Sequence, residues 1–486
     1  MFVSLYTSRV VLAALGVENY GIYNVVGGIV VLFTFINNAM VTSTQRYLNF
    51  ELGKNDLPKA KKVFSISLNI HMLIAIIVLL LAETIGLWFL NTTIQYPASR
   101  EFAVQVTYQF SILTTCVKII RAPYNAAIIA NEKMSFYAYL SIFEAVLQLG
   151  VVFLLIADNI DRLILYSILL CVVAIIVNIC YYVYCKKRFS ICKYELYKDK
   201  TLYRQLLSFS GWSLFGGIAN MGASQGINLI LNIFFGVTVN AAMGIATQVN
   251  AAVASFVQSF QTAFNPQIVK SYAAGNYDYF IKLILSTSKF SYLLLFILAL
   301  PIYICCPEVL SVWLTEVPDY TVTFCRLMLI FALLDALQGP LWYSVQATGK
   351  IKTYQILMSF MILANLPIAY ICIKLGYSPN SVLVVRCILN LATLFVRLWY
   401  LKRLYKFPII KFMKGVICRI APITITAYLI SYIPIETTLS LQKIITVVAM
   451  TFLANILLIL SIGLNKEERL VVGRYFKHIY EKYRRS

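Results

Sequence analysis

Ten charged side chains interrupt the apolar stretches of this chain. The cations are Arg9, Lys118, Lys289, Arg326, Arg386, Arg397 and Arg419, and the acids are Glu83, Glu144 and Asp335. An ion in hydrocarbon is costly, so such positions rank first as functional candidates. A guanidinium grips phosphate oxygens bidentately and never loses its charge, which suits an anionic substrate. A carboxylate has two other uses. It can bind Na+ or H+ and couple a gradient to movement, which makes Glu144, Asp335 and Glu83 the ion-coupling candidates. It can also neutralise an arginine, the role that Glu83 fits best.

The elements that carry these residues are read from composition. Hydrophobic residues make up 60% of the 486, charged residues 13%, and mean hydropathy is +0.79. Apolar runs repeatedly reach about 20 residues, the length a helix needs to cross ~30 Å of hydrocarbon. The expected spans are 1–15, 20–45, 63–90, 101–123, 134–157, 162–184, 208–235, 239–262, 283–306, 320–345, 355–376, 380–401, 413–433 and 441–463. This is an all-α polytopic membrane protein of about 14 transmembrane helices. No polar stretch is long enough for a separate soluble domain.

The formal charge of +21 follows the loops. One alternating set (46–62, 121–133, 185–207, 263–282, 346–354, 402–414 and 464–486) holds 30 Lys and Arg, whereas the opposite set holds only Arg100, Arg162, Lys374 and Lys443. The positive-inside rule makes the first set, and both termini, cytoplasmic. The charge therefore reports topology and membrane lipid contact, with no nucleic-acid partner. Residues 2–15 as a helix reach only about 21 Å, so the first helix either thins the bilayer or begins upstream of Met1. The second reading is preferred.

The chain also repeats itself. "TQRYLNFELGKND" at 44–56 lies over "PQIVKSYAAGNYD" at 266–278, aligning Gln45 with Gln267, Gly53 with Gly275 and Asp56 with Asp278. "PYNAAIIANEKMSFY" at 123–137 lies over "PLWYSVQATGKIKTY" at 340–354, an offset of 217 that aligns Pro123, Ala130, Lys133 and Tyr137 with Pro340, Ala347, Lys350 and Tyr354. Two matches in the same order predict two six-helix bundles related by a pseudo-two-fold axis along the membrane normal, plus two C-terminal helices. The expected division is a bundle at 1–184, a basic cytoplasmic linker at 185–207, a second bundle at 208–401, and an extra helix pair with a basic tail at 402–486.

Uncharged polar residues concentrate at equivalent positions of the two repeats. Asn24, Asn220, Gln225, Asn228 and Gln248 are the candidates to line a central cavity; their alternative role is helix–helix glue, and Gly222 with Gly226 fits close GxxxG packing. Among the cations, Lys118, Lys289, Arg397 and Arg419 lie within about two turns of a cytoplasmic helix end and are expected to snorkel to headgroups. Arg9, Arg326 and Arg386 lie in the outer half, roughly 10 Å from the outer helix ends. They are the candidates to bind substrate in the cavity, with Arg9 foremost and outward snorkelling the alternative. Eleven scattered cysteines without a CxxC and two histidines (His71 and His478) offer no metal or haem ligand set. No cofactor is expected beyond a coupling Na+ or H+.

The segments "SLYTSRVVLAALGVENYGIYNVVGG", "TSTQRYLNFELG", "RAPYNAAIIANEKMSFYAY", "FSGWSLFGGIANMGASQG" and "FNPQIVKSYAAG" resemble the multidrug/oligosaccharidyl-lipid/polysaccharide (MOP) exporter superfamily, and within it the Wzx-type O-antigen flippases. The resemblance runs from residue 4 to about 400. It implies a V-shaped central cavity, alternating access and an undecaprenyl-diphosphate-linked oligosaccharide as cargo. It also implies a diphosphate-binding role for Arg9, a bacterial inner membrane, and polysaccharide assembly proteins as partners. The function expected is export, not enzymatic catalysis. A cation-coupled multidrug antiporter is the first rival and should show a net acidic cavity. A membrane glycan polymerase or glycosyltransferase is the second, and the longest outer loop, about 13 residues at 307–319, is short for sugar chemistry.

Overall fold

The computed structural model describes residues 11, 15–16, 19, 21–23, 26–27, 35–93, 96–155, 161–314, 316–430, 440–465 and 468–469. Arg9, Asn24 and nearly all of the short first span lie outside these residues. Every regular element described is helical, and ten helices are long and apolar enough to cross a membrane. The chain is a multi-pass membrane protein made of two compact units.

Unit 1 comprises residues 1–218 with 266–276 and 346–355. Its helices are α1 (Phe35–Gly53), α2 (Leu57–Leu81) running through a π turn at Ala82–Gly86 into α3 (Leu87–Thr93), α4 (Glu101–Ala130), α5 (Met134–Leu154) and α6 (Arg162–Arg188). Carboxylates open two of them: Asp56 accepts from the Lys59 amide at 3.0 Å, and Asp161 from Leu163 at 3.0 Å and Ile164 at 3.3 Å. Each satisfies amides that have no partner within the helix. At the π turn the Ala82 carbonyl accepts both the Leu87 amide and the Tyr108 hydroxyl, the latter at 2.7 Å. Lys186, Lys187 and Arg188 fall in the last turn of α6, where cations suit the helix dipole. Beyond them residues 193–199 run extended along α2, where the Glu195 amide meets Ser65 Oγ at 3.2 Å and Asn69 bonds Tyr203 at 3.0 Å and Tyr194 at 2.9 Å.

The long α7 (Lys200–Ala273) is broken at Gly236, whose φ of 80° and ψ of −171° are non-helical. The arms 200–235 and 237–273 correspond to two of the expected spans. A side chain at φ 80° would be strained, so glycine marks the break. Unit 2 holds residues 219–265, 277–345 and 356–486. It contains most of α7, α8 (Tyr277–Ile304), α9 (Cys306–Trp313), most of α10 (Thr321–Thr348), the paired α11 (Lys352–Leu363) and α12 (Asn365–Lys374), and α13 (Asn380–Tyr405). Three short helices follow, α14 (Ile409–Phe412), α15 (Cys418–Ile430) and α16 (Ser440–Leu458), with π turns at Met413–Ile417 and Ile459–Gly463.

The C-terminal ends of α7 and α10 are held within unit 1. Arg46 on α1 is 6% exposed and donates to the carbonyls of Gln346 at 3.1 Å and Ala347 at 3.0 Å, closing the end of α10. Gly349, at φ 74°, turns the chain there; a Cβ would stand 2.7 Å from Arg46 Nη2. A second clamp joins the end of α7 to the turn after α4: Lys270 donates to Glu132 at 2.5 Å, and Gln267 also bonds that carboxylate. Glu132 and Gly349 occupy the same position in the 217-residue repeat, and both adopt left-handed backbone, at φ 59° and 74°. The duplication therefore extends to turn geometry.

Two packing expectations need correction. Gly226 does take a close approach, with its Cβ position 2.6 Å from Leu366 Cδ2, but Gly222 faces open space, so the GxxxG pair is half used. Lys289 does not snorkel. It is 1% exposed, donates to the Gly463 carbonyl at 3.0 Å and pairs with Glu468 at 2.5 Å. Its helix begins at Tyr277, which leaves Lys289 about 18 Å from that end, beyond a lysine's reach.

Elsewhere in unit 1, Arg100 ties loops together by pairing with Asp161 and donating to Asn19 Oδ1 at 2.6 Å. Burial alone would raise the Asp161 pKa. The Arg100 hydrogen bond and the amides of Ile164 and Leu163 outweigh it and set the carboxyl below its usual value. A depressed folded pKa adds stability above the unfolded value of about 3.9, and that stability is lost as pH falls through the folded pKa. The apparent melting temperature should thus drop more steeply below about pH 4 in the wild type than in Asp161→Asn. Partial exposure limits the effect to about 1 kcal/mol. Parallel melting curves for the two proteins would remove the knot from the stability account.

Candidate functional site

Each unit contains a polar cavity of its own. In unit 2 the wall is built from one face of each contributing helix. Asn220, Ala223, Ser224 and Ile227 of α7 stand at i, i+3, i+4 and i+7, and Arg386, Asn390, Thr393 and Arg397 of α13 repeat at helical spacing. Asp335 and Gln338 of α10 face them across about 100 Å³ of open space. Asp335 lines this cavity with a solvent-accessible side chain.

The groups form a network. Gln338 donates to the Asn390 carbonyl at 3.1 Å, and Arg397 Nη1 donates to the Gln338 carbonyl at 2.7 Å. Arg386 lies over the Phe331 ring at 4.3 Å. Two guanidinium groups therefore face one carboxylate, and the cavity carries a net positive charge. The amide oxygens of Gln338 and Asn365 are buried and accept no hydrogen bond among the described residues. With Asp335 they are the oxygens in this wall suited to hold a hard cation such as Na+.

In unit 1, Ser111, Thr114, Thr115 and Lys118 of α4, again at i, i+3, i+4 and i+7, line a cavity of about 250 Å³ with Glu144 and Gln148 of α5 and Tyr166 and Ser167 of α6. Glu144 pairs with Arg121 at 3.1 Å, and Arg121 lies over the Tyr181 ring at 5.3 Å. Lys118, like Asp335, lines its cavity with a solvent-accessible side chain. The repeat offset that carries Pro123 onto Pro340 also carries Lys118 onto Asp335.

The sequence candidates are thus divided. Arg386, Asn220 and Asp335 share the unit 2 cavity, and Glu144 lies in that of unit 1. Arg326 is engaged elsewhere, donating to the Tyr303 carbonyl at 3.0 Å and lying 5.3 Å from that ring. Gln225 and Asn228 lie outside the unit 2 cavity and meet each other at 3.5 Å, and Gln248 is exposed away from it. Glu83 sits in the π turn and accepts from Gln109 at 3.2 Å. Two lysines and arginines assigned to headgroups stand instead in cavity walls. Lys118 is there because α4 continues to Ala130, about 18 Å beyond it, and Arg397 because its guanidinium turns inward to Gln338. Gln338, Asn365, Asn390 and Thr393 were not singled out from sequence. Their signal is helical spacing of polar residues along one face.

A family model described as MatE matches residues 213–371. No curated protein matches the chain in sequence. Several solved structures match it in fold. An outward-facing multidrug resistance MATE family transporter of the MOP superfamily is 15% identical with a TM-score of 0.70, over 82% of this chain and 90% of that one. The MATE transporter ClbM, solved in complex with Rb+, is 17% identical with a TM-score of 0.68, over 82% and 92%. A MOP superfamily transporter from Pyrococcus furiosus, for which reverse polarity of the binding pocket suggests a different function, is 15% identical with a TM-score of 0.69, over 82% and 90%. At these identities the likeness establishes the fold.

Proposed function

We propose, for a chain that carries the MATE-type transporter fold of the MOP superfamily, that its cargo is an anionic lipid-linked oligosaccharide. On this reading the protein is a flippase that moves a polyprenyl-diphosphate-linked glycan from the cytoplasmic to the outer leaflet of a bacterial inner membrane by alternating access. The observation that carries the reading is the sign of the unit 2 cavity, where Arg386 and Arg397 outnumber Asp335. A diphosphate needs such donors once its water is stripped away, since a buried anion is tolerated only when paired and hydrogen-bonded. Across the spans, cations outnumber acids seven to three, opposite to the expectation for a carrier of cationic drugs. The Pyrococcus furiosus relative supports the idea that pocket polarity divides functions on this fold.

The chain's own groups then divide the work. Arg386, with Arg9 from the first span, binds phosphate oxygens, and Asn220 and its neighbouring amides replace water around the glycan. Asp335, with the Gln338 and Asn365 oxygens, binds the coupling cation, Na+ or H+. No covalent bond changes. Polysaccharide assembly proteins are the expected partners at the outer face.

The test is translocation of a fluorescent lipid-linked oligosaccharide in proteoliposomes, with a quencher confined to one side. Protein-dependent crossing of the glycan is the expected result. Gradient-driven movement of a cationic dye without glycan crossing would replace the flippase reading with that of a multidrug antiporter.

A further inference from the structure

We propose that the cavity within unit 1 is an anion site that seats a phosphate group on the Lys118 ammonium. The site is separate from the cargo and coupling groups assigned above and does not depend on that assignment.

The argument begins with an uncompensated charge. Among the described residues Lys118 makes no hydrogen bond and no ion pair. Its nearest carboxylate, Glu144, is held by Arg121 at 3.1 Å, so the three groups together keep one net positive charge. The ammonium lies about 18 Å from the cytoplasmic end of α4, beyond the ~6 Å reach of a lysine side chain. A cation at this depth requires a counter-charge.

The walls offer donors for that counter-charge. The hydroxyls of Thr114 and Thr115 and the Gln148 amide line the same cavity and make no hydrogen bond among the described residues. Ser111 and Ser167 are different, because they donate back to the carbonyls of Thr107 at 2.7 Å and Ile164 at 2.8 Å. Ammonium, hydroxyl and amide donors around about 250 Å³ fit a tetrahedral group made only of acceptors.

The repeat supplies an independent observation. At the position equivalent to Lys118, unit 2 has Asp335, an anion built into the chain and facing Arg386 and Arg397. Unit 1 instead places the cation there, in a cavity whose one carboxylate, Glu144, is already held by Arg121. A ligand phosphate completes it, either free in solution or carried by a lipid headgroup.

Full-length protein distinguishes these sources. In lipid-free detergent, inorganic phosphate should raise the apparent melting temperature saturably. Lys118→Met should weaken that response at least tenfold, Thr115→Val several-fold, and Lys118→Arg little. If the headgroup is the source, protein taken from phosphatidylglycerol nanodiscs should retain one such lipid by native mass spectrometry and lose it in Lys118→Met. Should Lys118→Met fold poorly, Thr115→Val carries the same comparison. Wild-type protein that responds to neither probe, or variants that respond as the wild type does, would overturn the proposal.

Discussion

Arg386→Gln should reduce lipid-linked oligosaccharide translocation by about 10- to 100-fold while the protein still folds. The magnitude follows from a hydrogen bond to a charged group, worth about 1.5–3 kcal/mol, with each 1.4 kcal/mol a factor of ten. Glutamine keeps much of the side-chain length that packs on Phe331 at 4.3 Å but removes the charge and the bidentate fork. Arg397 still faces Asp335, so the carboxylate keeps a counter-charge and the cavity wall persists. Arg326→Gln is the control. Its guanidinium is engaged with Tyr303, 3.0 Å from the carbonyl, and the variant should transport within about threefold of wild type once matched for expression. Equal rates for Arg386→Gln and wild type in the proteoliposome assay would take Arg386 out of the cargo site.

Arg46→Ala should cost the protein about 3–5 kcal/mol, the largest stability loss expected of any single change considered. The guanidinium serves two carbonyls, those of Gln346 and Ala347, and lies 4.6 Å from the Phe50 ring. Alanine strands both acceptors and leaves a void where a long side chain was packed. Arg46→Lys keeps the charge but cannot serve both carbonyls with a planar fork, so it should fall between. Gly349→Ala probes the same clamp from the other side. It combines a left-handed φ of 74° with a Cβ 2.7 Å from Arg46 Nη2, and should cost about 1–2 kcal/mol. Thermal unfolding in detergent orders the three, and an Arg46→Ala protein that melts with the wild type would show that the clamp is dispensable.

That the chain crosses a membrane many times was legible in the sequence because a bilayer demands long apolar runs. Glu132 and Gly349, at equivalent positions of the sequence repeat, share a left-handed backbone because similar turns carry similar constraints. Helix ends were harder. α4 runs past residue 123 to Ala130, through residues buried within unit 1, and hydropathy alone stops at the membrane surface. That shortfall placed Lys118 near headgroups when it stands in a cavity. Charged residues ranked one at a time also hid their companions, although Ser111, Thr114, Thr115 and Lys118 could have been read as one face. The Arg46 clamp could not have been read so, since it joins residues 300 positions apart.

The opposite signs of Lys118 and Asp335 have a consequence for ancestry. A symmetric dimer of a single six-helix ancestor would place the same residue in both pockets, because two-fold symmetry permits nothing else. Only after the gene was duplicated could each copy mutate on its own, one placing a lysine and the other an aspartate at that position. Duplication therefore did more than double the number of helices. It released the halves from identity at the position where their chemistry now differs most.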